Sequence, residues 1–573
     1  MRAETKNHFR PGTACSTNGV VMNKFGASLA VLIALSAGAA HAADLPTKKE
    51  PAAPPPVNCY ASVWTWLNSS AADCPISAYG ITLYGTLDAG FGYESNGAGY
   101  NNWFNNGVAN IITKQSTHGP QWLQTPNGLS QSVVGVKMSE PLGAGWSLIG
   151  VAETGFNPYA FNLAYAQKAQ QVNNGKSLFL QNANADSSRT GQPLNSQWFL
   201  GFSNPTYGTL TGGRVNTLSL DAINAYDPMG GSYAFSPLGY SGSYAGFGDT
   251  EAARANTAVK YRLDIQNFRV GGLVQVGGYN WGNGTNGIYQ GQVGGDFHVG
   301  PGVLSLDGTA SYARDAVNLG TFGSLTQCST LSKGPFAGET GCSTSIPGPA
   351  GVYNQSDFQA TLSNNTGFML NSKYKWESWT FYASYEYLRQ QNPSNSYPNG
   401  FETIGYFNVP GTIPNVIKGY SKFWPSASAG WDVINAYNVP RVANIFWVGA
   451  KYAVPKDWMH GWGDLDLSGA FYYLDQNNYN FSVNAQGVTL PAACSATVTT
   501  GVKPNGQSFA ISRMNSGKCA GTTDFISFLA DWRPVKRVDV YAGVMISNVY
   551  AGIANGYYAT QTVNPTAGVR IKF

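Results

Sequence analysis

Residues 80–94 read GITLYGTLDAGFGYE. Ile81, Leu83, Leu87, Ala89, Phe91 and Tyr93 share one side of a period-two pattern, and Thr82, Tyr84, Thr86, Asp88 and Glu94 share the other. Successive side chains of an extended chain point to opposite faces, so this stretch reads as a strand with one apolar and one polar face. The last residues, 567–573 AGVRIKF, repeat the pattern: Ala567, Val569, Ile571 and Phe573 alternate with Gly568, Arg570 and Lys572. Chain ends are loose unless something ties them down. A strand that runs to the final residue therefore predicts a terminus that is a closing seam or an address.

The same alternation recurs at about 131–139, 145–157, 196–204, 207–216, 256–264, 267–279, 288–299, 302–313, 366–376, 378–389, 443–453, 462–474, 523–532, 537–549 and 564–573, making sixteen strands with the first. Their connections alternate in length. SEPLGAG, NPT, IQ, GPG, Glu377, PKDWMHGWG and PVKR are short, whereas 95–130, 158–195, 217–255, 314–365, 390–442, 475–522 and 550–563 are long; 280–287 is of middling length. Short turns at one rim, long loops at the other and an even strand number predict an all-β fold, a transmembrane antiparallel β-barrel.

Composition agrees. Charged residues are 11% of the chain, about half the usual share, and aromatics are 13%. Sixty-nine glycines suit a large sheet with many turns, and the aromatics argue against disorder. Residues 22–42, MNKFGASLAVLIALSAGAAHA, read as a signal peptide, with Lys24, a short apolar run and an Ala40-His41-Ala42 cleavage site; Met22 is the plausible start, and 1–42 is removed. That leader carries four basic residues and one acidic one, so its loss lowers the formal net charge from +4 to +1 and nothing argues for nucleic acid as a partner. No later run is long and apolar enough for a helical span, which leaves the closed barrel as the way across a membrane.

Residues 43–79 form a Pro-rich N-terminal segment, ADLPTKKEPAAPPPVN followed by a short helical element, and the barrel covers 80–573. Six cysteines remain after cleavage, in three sequence-local pairs: Cys59 and Cys74, Cys328 and Cys342, Cys494 and Cys519. In an oxidising compartment they predict three local disulfides, although six cysteines allow 15 connectivities. Their spacing fits no zinc motif, so no metal is expected.

The apolar face carries Phe446, Val448 and Tyr452, or Trp379, Phe381 and Tyr385, with aromatics toward the strand ends as membrane girdles require. The opposite face carries Lys451, Glu386, Asp539, Lys260, Arg262, Glu153 and Asp88. A soluble barrel would reverse this polarity. A polar lumen at sixteen strands is wide enough for water, and Asp88 and Glu153 are expected to line it.

The chain resembles the general Gram-negative porins, particularly those of alphaproteobacterial type. The resemblance lies in ADLPTKK, ITLYGTLDAGFGY, VVGVKMSEPLGAGWSLIGVAETGF, WFLGFSNPTYGTLTGGRVNT, DPMGG, RANTAVKY, ADWRPVKRVDVYAGV and the terminal Phe573, in order over nearly the whole mature chain. Loops 314–365, 390–442 and 475–522 are longer than that family leads one to expect. The resemblance implies a homotrimer in the outer membrane, surrounded by lipids including lipopolysaccharide. It also implies a third long loop, 217–255, folded into the lumen, and Phe573 as the signal read by the barrel-assembly machinery.

The constriction expected from that loop sets Asp221, Asp227, Asp249 and Glu251 against a wall of Arg214, Arg254, Lys260 and Arg262. Opposed charges across a narrow pore impose a transverse field that sorts ions and orients polar solutes. Strict alternation puts Arg214 on the side of apolar Leu210, whereas the resemblance puts it in the pore; Gly212-Gly213 permits a bulge that re-aims it.

The expected function is passive diffusion of ions and small hydrophilic solutes, with no cofactor. The alternative is a substrate-specific channel or a surface-interaction barrel with long, disulfide-stapled loops. An enzyme is not expected. His118, His298 and His460 are far apart, and barrel hydrolases need a nucleophile beside a base. A plugged transporter needs about 22 strands and a larger N-terminal domain than 43–79.

Overall fold

A computed structural model gives the architecture. It describes residues 58–573 except 96–120, 126, 160, 165–188, 190–191, 239–252, 276–286, 322–328, 331–339, 342–357, 392–401, 406–430, 435–438, 479–499, 503–507, 511–517, 519 and 553–559.

Sixteen long strands form one sheet: β1 Ile81–Glu94, β2 Ser132–Gly143, β3 Trp146–Phe156, β4 Trp198–Asn204, β5 Gly208–Asn216, β6 Arg254–Ile265, β7 Phe268–Gln275, β8 Gly287–Val299, β9 Gly302–Thr321, β10 Phe358–Trp376, β11 Trp379–Gln391, β12 Arg441–Ala453, β13 Asp464–Gln476, β14 Gly521–Val535, β15 Val538–Ala551 and β16 Gln561–Lys572. Each pairs antiparallel with the next. β16 returns to β1, from Lys572 opposite Thr86 to Thr566 opposite Gly92. The seam ends on two backbone bonds of 3.0 Å between Gly85 and Phe573. Closure leaves no free edge on the barrel. Every strand expected from alternation is present. β9 and β10 run several residues further at their long-loop ends than the pattern indicated, stopping at Thr321 and starting at Phe358.

Five hairpins turn in two residues, β2–β3, β6–β7, β8–β9, β10–β11 and β14–β15. In β6–β7 and β10–β11, Gln266 (φ 53°) and Glu377 (φ 50°) take the left-handed conformation, which matches the twist of the flanking strands.

The outer face is the apolar one. Phe368, Leu370, Phe446 and Val448 are exposed, while their strand neighbours Met369, Ile445 and Trp447 are buried inside. The inner face departs from the expected uniform polarity. Met369, Leu388, Ile445, Trp447, Tyr472, Phe525, Tyr541 and Met545 all face inward, yet they belong to one buried apolar cluster. Their cover is the segment after β5.

Among the described residues there are three short helices, one of them, Lys456–Met459, in the turn between β12 and β13. α1, Val63–Asn68, starts on Ser62, whose hydroxyl accepts from the Thr65 amide at 3.0 Å. The Cys59–Cys74 disulfide closes this element as expected; Cys328, Cys342, Cys494 and Cys519 lie outside the described residues. The element is seated on the short turn between β14 and β15. Arg537 there donates to the carbonyls of Trp66 (2.8 Å) and Cys74 (2.6 Å). The Arg537 guanidinium also stacks 4.3 Å from the centre of the Trp66 ring. α2, Leu218–Tyr226, lies inside the barrel.

Candidate channel constriction

α2 begins immediately beyond β5. Thr217 caps it, its hydroxyl accepting from the Leu220 amide at 3.3 Å. Gln290 of β8 holds the same end, accepting from the Leu218 amide at 2.6 Å and donating to Ser219 Oγ at 2.6 Å. At the other end Lys373 Nζ of β10 donates to the Ala225 carbonyl at 3.1 Å, and Trp447 Nε1 of β12 donates to the Tyr226 carbonyl at 3.1 Å. A cation and a donor at a helix C-terminus satisfy its orphan carbonyls. The chain continues across the inner wall. Pro228 packs so closely on Gly449 that a Cβ there would sit 2.5 Å from its ring. Phe235 meets Tyr541 of β15 edge-on at 6.1 Å between ring centres. The Ala234 amide donates to the Gly128 carbonyl at 2.9 Å. Residues 217–238 thus run from β5 across the interior to β15, and their apolar side chains account for the buried inner cluster.

The expected charges that the structure describes divide into three groups. Asp221, on α2, is ion-paired with Lys260 and, at 2.8 Å, with Arg262. This is the loop-to-wall opposition expected. The Arg262 side chain keeps 37% exposure. Both cations border a cavity of about 410 Å³ against β3–β6, with Gln197, Thr209, Thr211 and Asp264 also lining it.

Arg214 and Arg254 are placed differently. Arg214 stands opposite Trp198 in the ladder, yet Trp198 is 52% exposed and Arg214 only 7%. Gly213 takes φ 136°, and the register to β6 shifts between Gly213 and Val215, where Thr257 takes φ 48°. The bulge re-aims the guanidinium inward, where Nε donates to the Ser196 carbonyl (3.0 Å) and Nη2 to the Asn195 carbonyl (2.8 Å). Arg254 is buried opposite Asn216.

Asp227 departs from the expectation. It does not face Arg214 or Arg254. Its carboxylate accepts from the Tyr472 hydroxyl (2.5 Å), the Gly231 amide (2.7 Å) and the Met229 amide (3.3 Å), and it is 2% exposed. Burial pushes its carboxyl above the ordinary range, with the Tyr472 hydrogen bond opposing. Asp227 clamps the segment to β13. Asp249 and Glu251 lie outside the described residues.

The two expected lumen acids point inward, but both are engaged. Asp88 is fully buried and accepts from the Leu129 amide (2.7 Å), the Ser130 amide (2.8 Å) and the Tyr541 hydroxyl (2.6 Å). Glu153 accepts from the Tyr84 hydroxyl at 2.9 Å and from Ser196 Oγ. Each tethers an inward-folded piece of chain to the wall. The Phe573 ring covers Gly85 so tightly that a Cβ there would lie 2.3 Å from it.

The family model described as Gram-negative porin matches residues 28–549. Among curated protein sequences none matches this chain. Solved structures similar to it include an anion-selective porin from Comamonas acidovorans, with 12% identity, 86% of this chain and 99% of that chain covered, and a TM-score of 0.43. A loop L8 deletion mutant of OmpT from Vibrio cholerae gives 12% identity, 86% and 99% coverage and a TM-score of 0.45. Salmonella typhi OmpF, in complex with daunomycin, gives 13% identity, 86% and 97% coverage and a TM-score of 0.40. With a closed sixteen-stranded barrel, an inward-folded segment after its fifth strand and a family match over most of its length, the chain belongs to the Gram-negative porins of the outer membrane.

Proposed function

We propose that residues 217–238 are the selectivity element of this outer-membrane diffusion channel, with Asp221, Lys260 and Arg262 as its charged contact with the passing solute. The supporting observation is the seating of α2, held by Gln290 at one end and by Lys373 and Trp447 at the other. A segment fixed at both ends narrows a lumen without needing to move, which suits passive diffusion of ions and small hydrophilic solutes. The reaction class is transport; nothing in this role calls for catalysis or a cofactor. Arg214 and Arg254 shape the wall behind the segment, and Asp227 locks its far half. The protein acts as a homotrimer among outer-membrane lipids including lipopolysaccharide, and Phe573 is its address for the assembly machinery.

The test is the reversal potential of single channels under a salt gradient. Asp221→Asn frees Lys260 and Arg262 and shifts selectivity toward anions, while Arg262→Gln shifts it toward cations. Both shifts shrink in molar salt, where the Debye length falls to about 3 Å. Reversal potentials that neither substitution moves at low salt would remove these residues from the ion path.

A further inference from the structure

Beyond the constriction, the short-turn end of the pore carries a second group of cations. We propose that Lys373, Lys375 and Lys451 form a binding site for small multivalent oxyanions of the phosphate type at this periplasmic mouth. The proposal rests on the channel reading and adds a ligand class to it.

Register brings the three together. Lys375 is opposite Thr380, and Thr380 is opposite Lys451. The two lysines therefore share a row two strands apart, about 10 Å between Cα atoms, with Lys373 about 7 Å further along β10. All three point inward. Lys373 and Lys375 have the parity of buried Met369 and Asn371, and Lys451 that of buried Trp447, while Phe368, Leu370, Phe446 and Val448 are exposed outside. Lysine stems reach far enough for the three ammonium groups to converge, with the Thr380 hydroxyl between them and Tyr382 opposite Lys373.

The nearby acids are already committed. Asp296 is paired with Arg269 at 2.7 Å. Asp307 faces Arg269 at 3.6 Å and takes the Gln292 amide at 2.9 Å. Asp466 is held by Arg533 at 3.1 Å, and Asp227 by Tyr472. Lys373 donates to the Ala225 carbonyl and lies 5.1 Å over the Tyr226 ring. Among the described residues neither Lys375 nor Lys451 forms an ion pair, and Glu377 in the adjoining turn pairs with neither. Arg269, Lys375 and Lys451 all stand close enough to Lys373 to repel it. Asp296 and Asp307 thus answer four cations, which leaves an excess of positive charge at one place in the lumen. Lysine binds phosphate as a point charge from a flexible stem. An anion with several charges relieves the mutual repulsion of all three groups at once, which chloride cannot do.

The experiment uses the purified full-length protein in planar bilayers, with inorganic pyrophosphate added to each side in turn. The wild type shows a saturable reduction of current. Lys375→Gln/Lys451→Gln conducts but needs at least roughly tenfold more pyrophosphate for half block, the scale of two lost attractions across a partly screened gap. Lys375→Glu, a single change at an exposed position that also removes two units of positive charge, is a second variant and weakens the block to a similar degree. Lys456→Gln, on an exposed turn where Lys456 pairs with Asp464 at 3.9 Å, leaves the block unchanged. No block in the wild type, or equal block in the lysine variants, overturns the site. A folded wild type that does not conduct overturns the channel reading beneath it.

Discussion

Removing the Asp227 carboxylate separates a clamp from a selectivity residue. Asp227→Ala leaves the fully buried Tyr472 hydroxyl and the Gly231 amide without their acceptor. Each orphaned buried group costs about 1–3 kcal/mol, and partial relaxation brings the pair to roughly 2–4 kcal/mol. At 1.4 kcal/mol per tenfold, the undocked population of segment 227–238 rises about 30- to 1,000-fold. The packing of Phe235 on Tyr541 and of Pro228 on Gly449 remains, so the segment fluctuates rather than leaving the wall for good. Single-channel recording is the assay. Open-channel noise and brief excursions to higher conductance increase, while the reversal potential under a salt gradient stays where it was. The response to pH follows. Burial raises the Asp227 carboxyl in the docked state, so docking binds a proton. Docking strengthens as pH falls through that raised range and weakens as pH rises through it. Acid therefore quiets the wild-type current, and Asp227→Ala abolishes the response. A shifted reversal potential with unchanged noise would show that Asp227 lines the ion path, and the clamp argument would fail.

Deleting Phe573 takes away the last backbone pair of the seam and the ring over Gly85, and lowers the yield of assembled barrel while export continues; normal surface levels of the truncated chain would refute both roles. Replacing Cys59 and Cys74 with serine frees a loop whose closure is worth about 3 kcal/mol in the chain-entropy model. Protease cleavage within 58–79 then accelerates while the heat-modifiable barrel persists, and loss of the barrel would show that α1 is needed for its assembly. Light scattering of the detergent-solubilised protein gives the mass of three chains, and an obligate monomer would contradict the trimer.

The strands were legible because a membrane barrel writes itself in two independent signals. One is the period of two, as in Ile81 to Tyr93. The other is the alternation of short and long connections. That loop acids would oppose basic wall residues was an expectation; that Asp221 meets Lys260 and Arg262 in particular is seen only in the structure. Parity counted along one strand would turn Arg214 outward; Gly212-Gly213 marked the bulge that turns it inward, completed by an irregularity at Thr257 in the facing strand. Two features were not legible, each for a definite reason. The burial of Asp227 depends on Tyr472, 245 residues away, and a charge in a loop carries no mark of such a partner. Trp447, Phe525 and Met545 are apolar on an inner wall expected to be wet, because residues 217–238 cover them, and one strand's pattern does not show what lies across the lumen. Lys373 and Lys375 sit at inward positions of β10, on the parity of buried Met369 and Asn371.

Single-channel conductance of the purified protein in a planar bilayer tests most directly whether the chain is an open, passive channel. The structure predicts stepwise, near-ohmic currents without ligand or energy source. Barrels that are β-rich and heat-modifiable, yet insert without conducting, would contradict it.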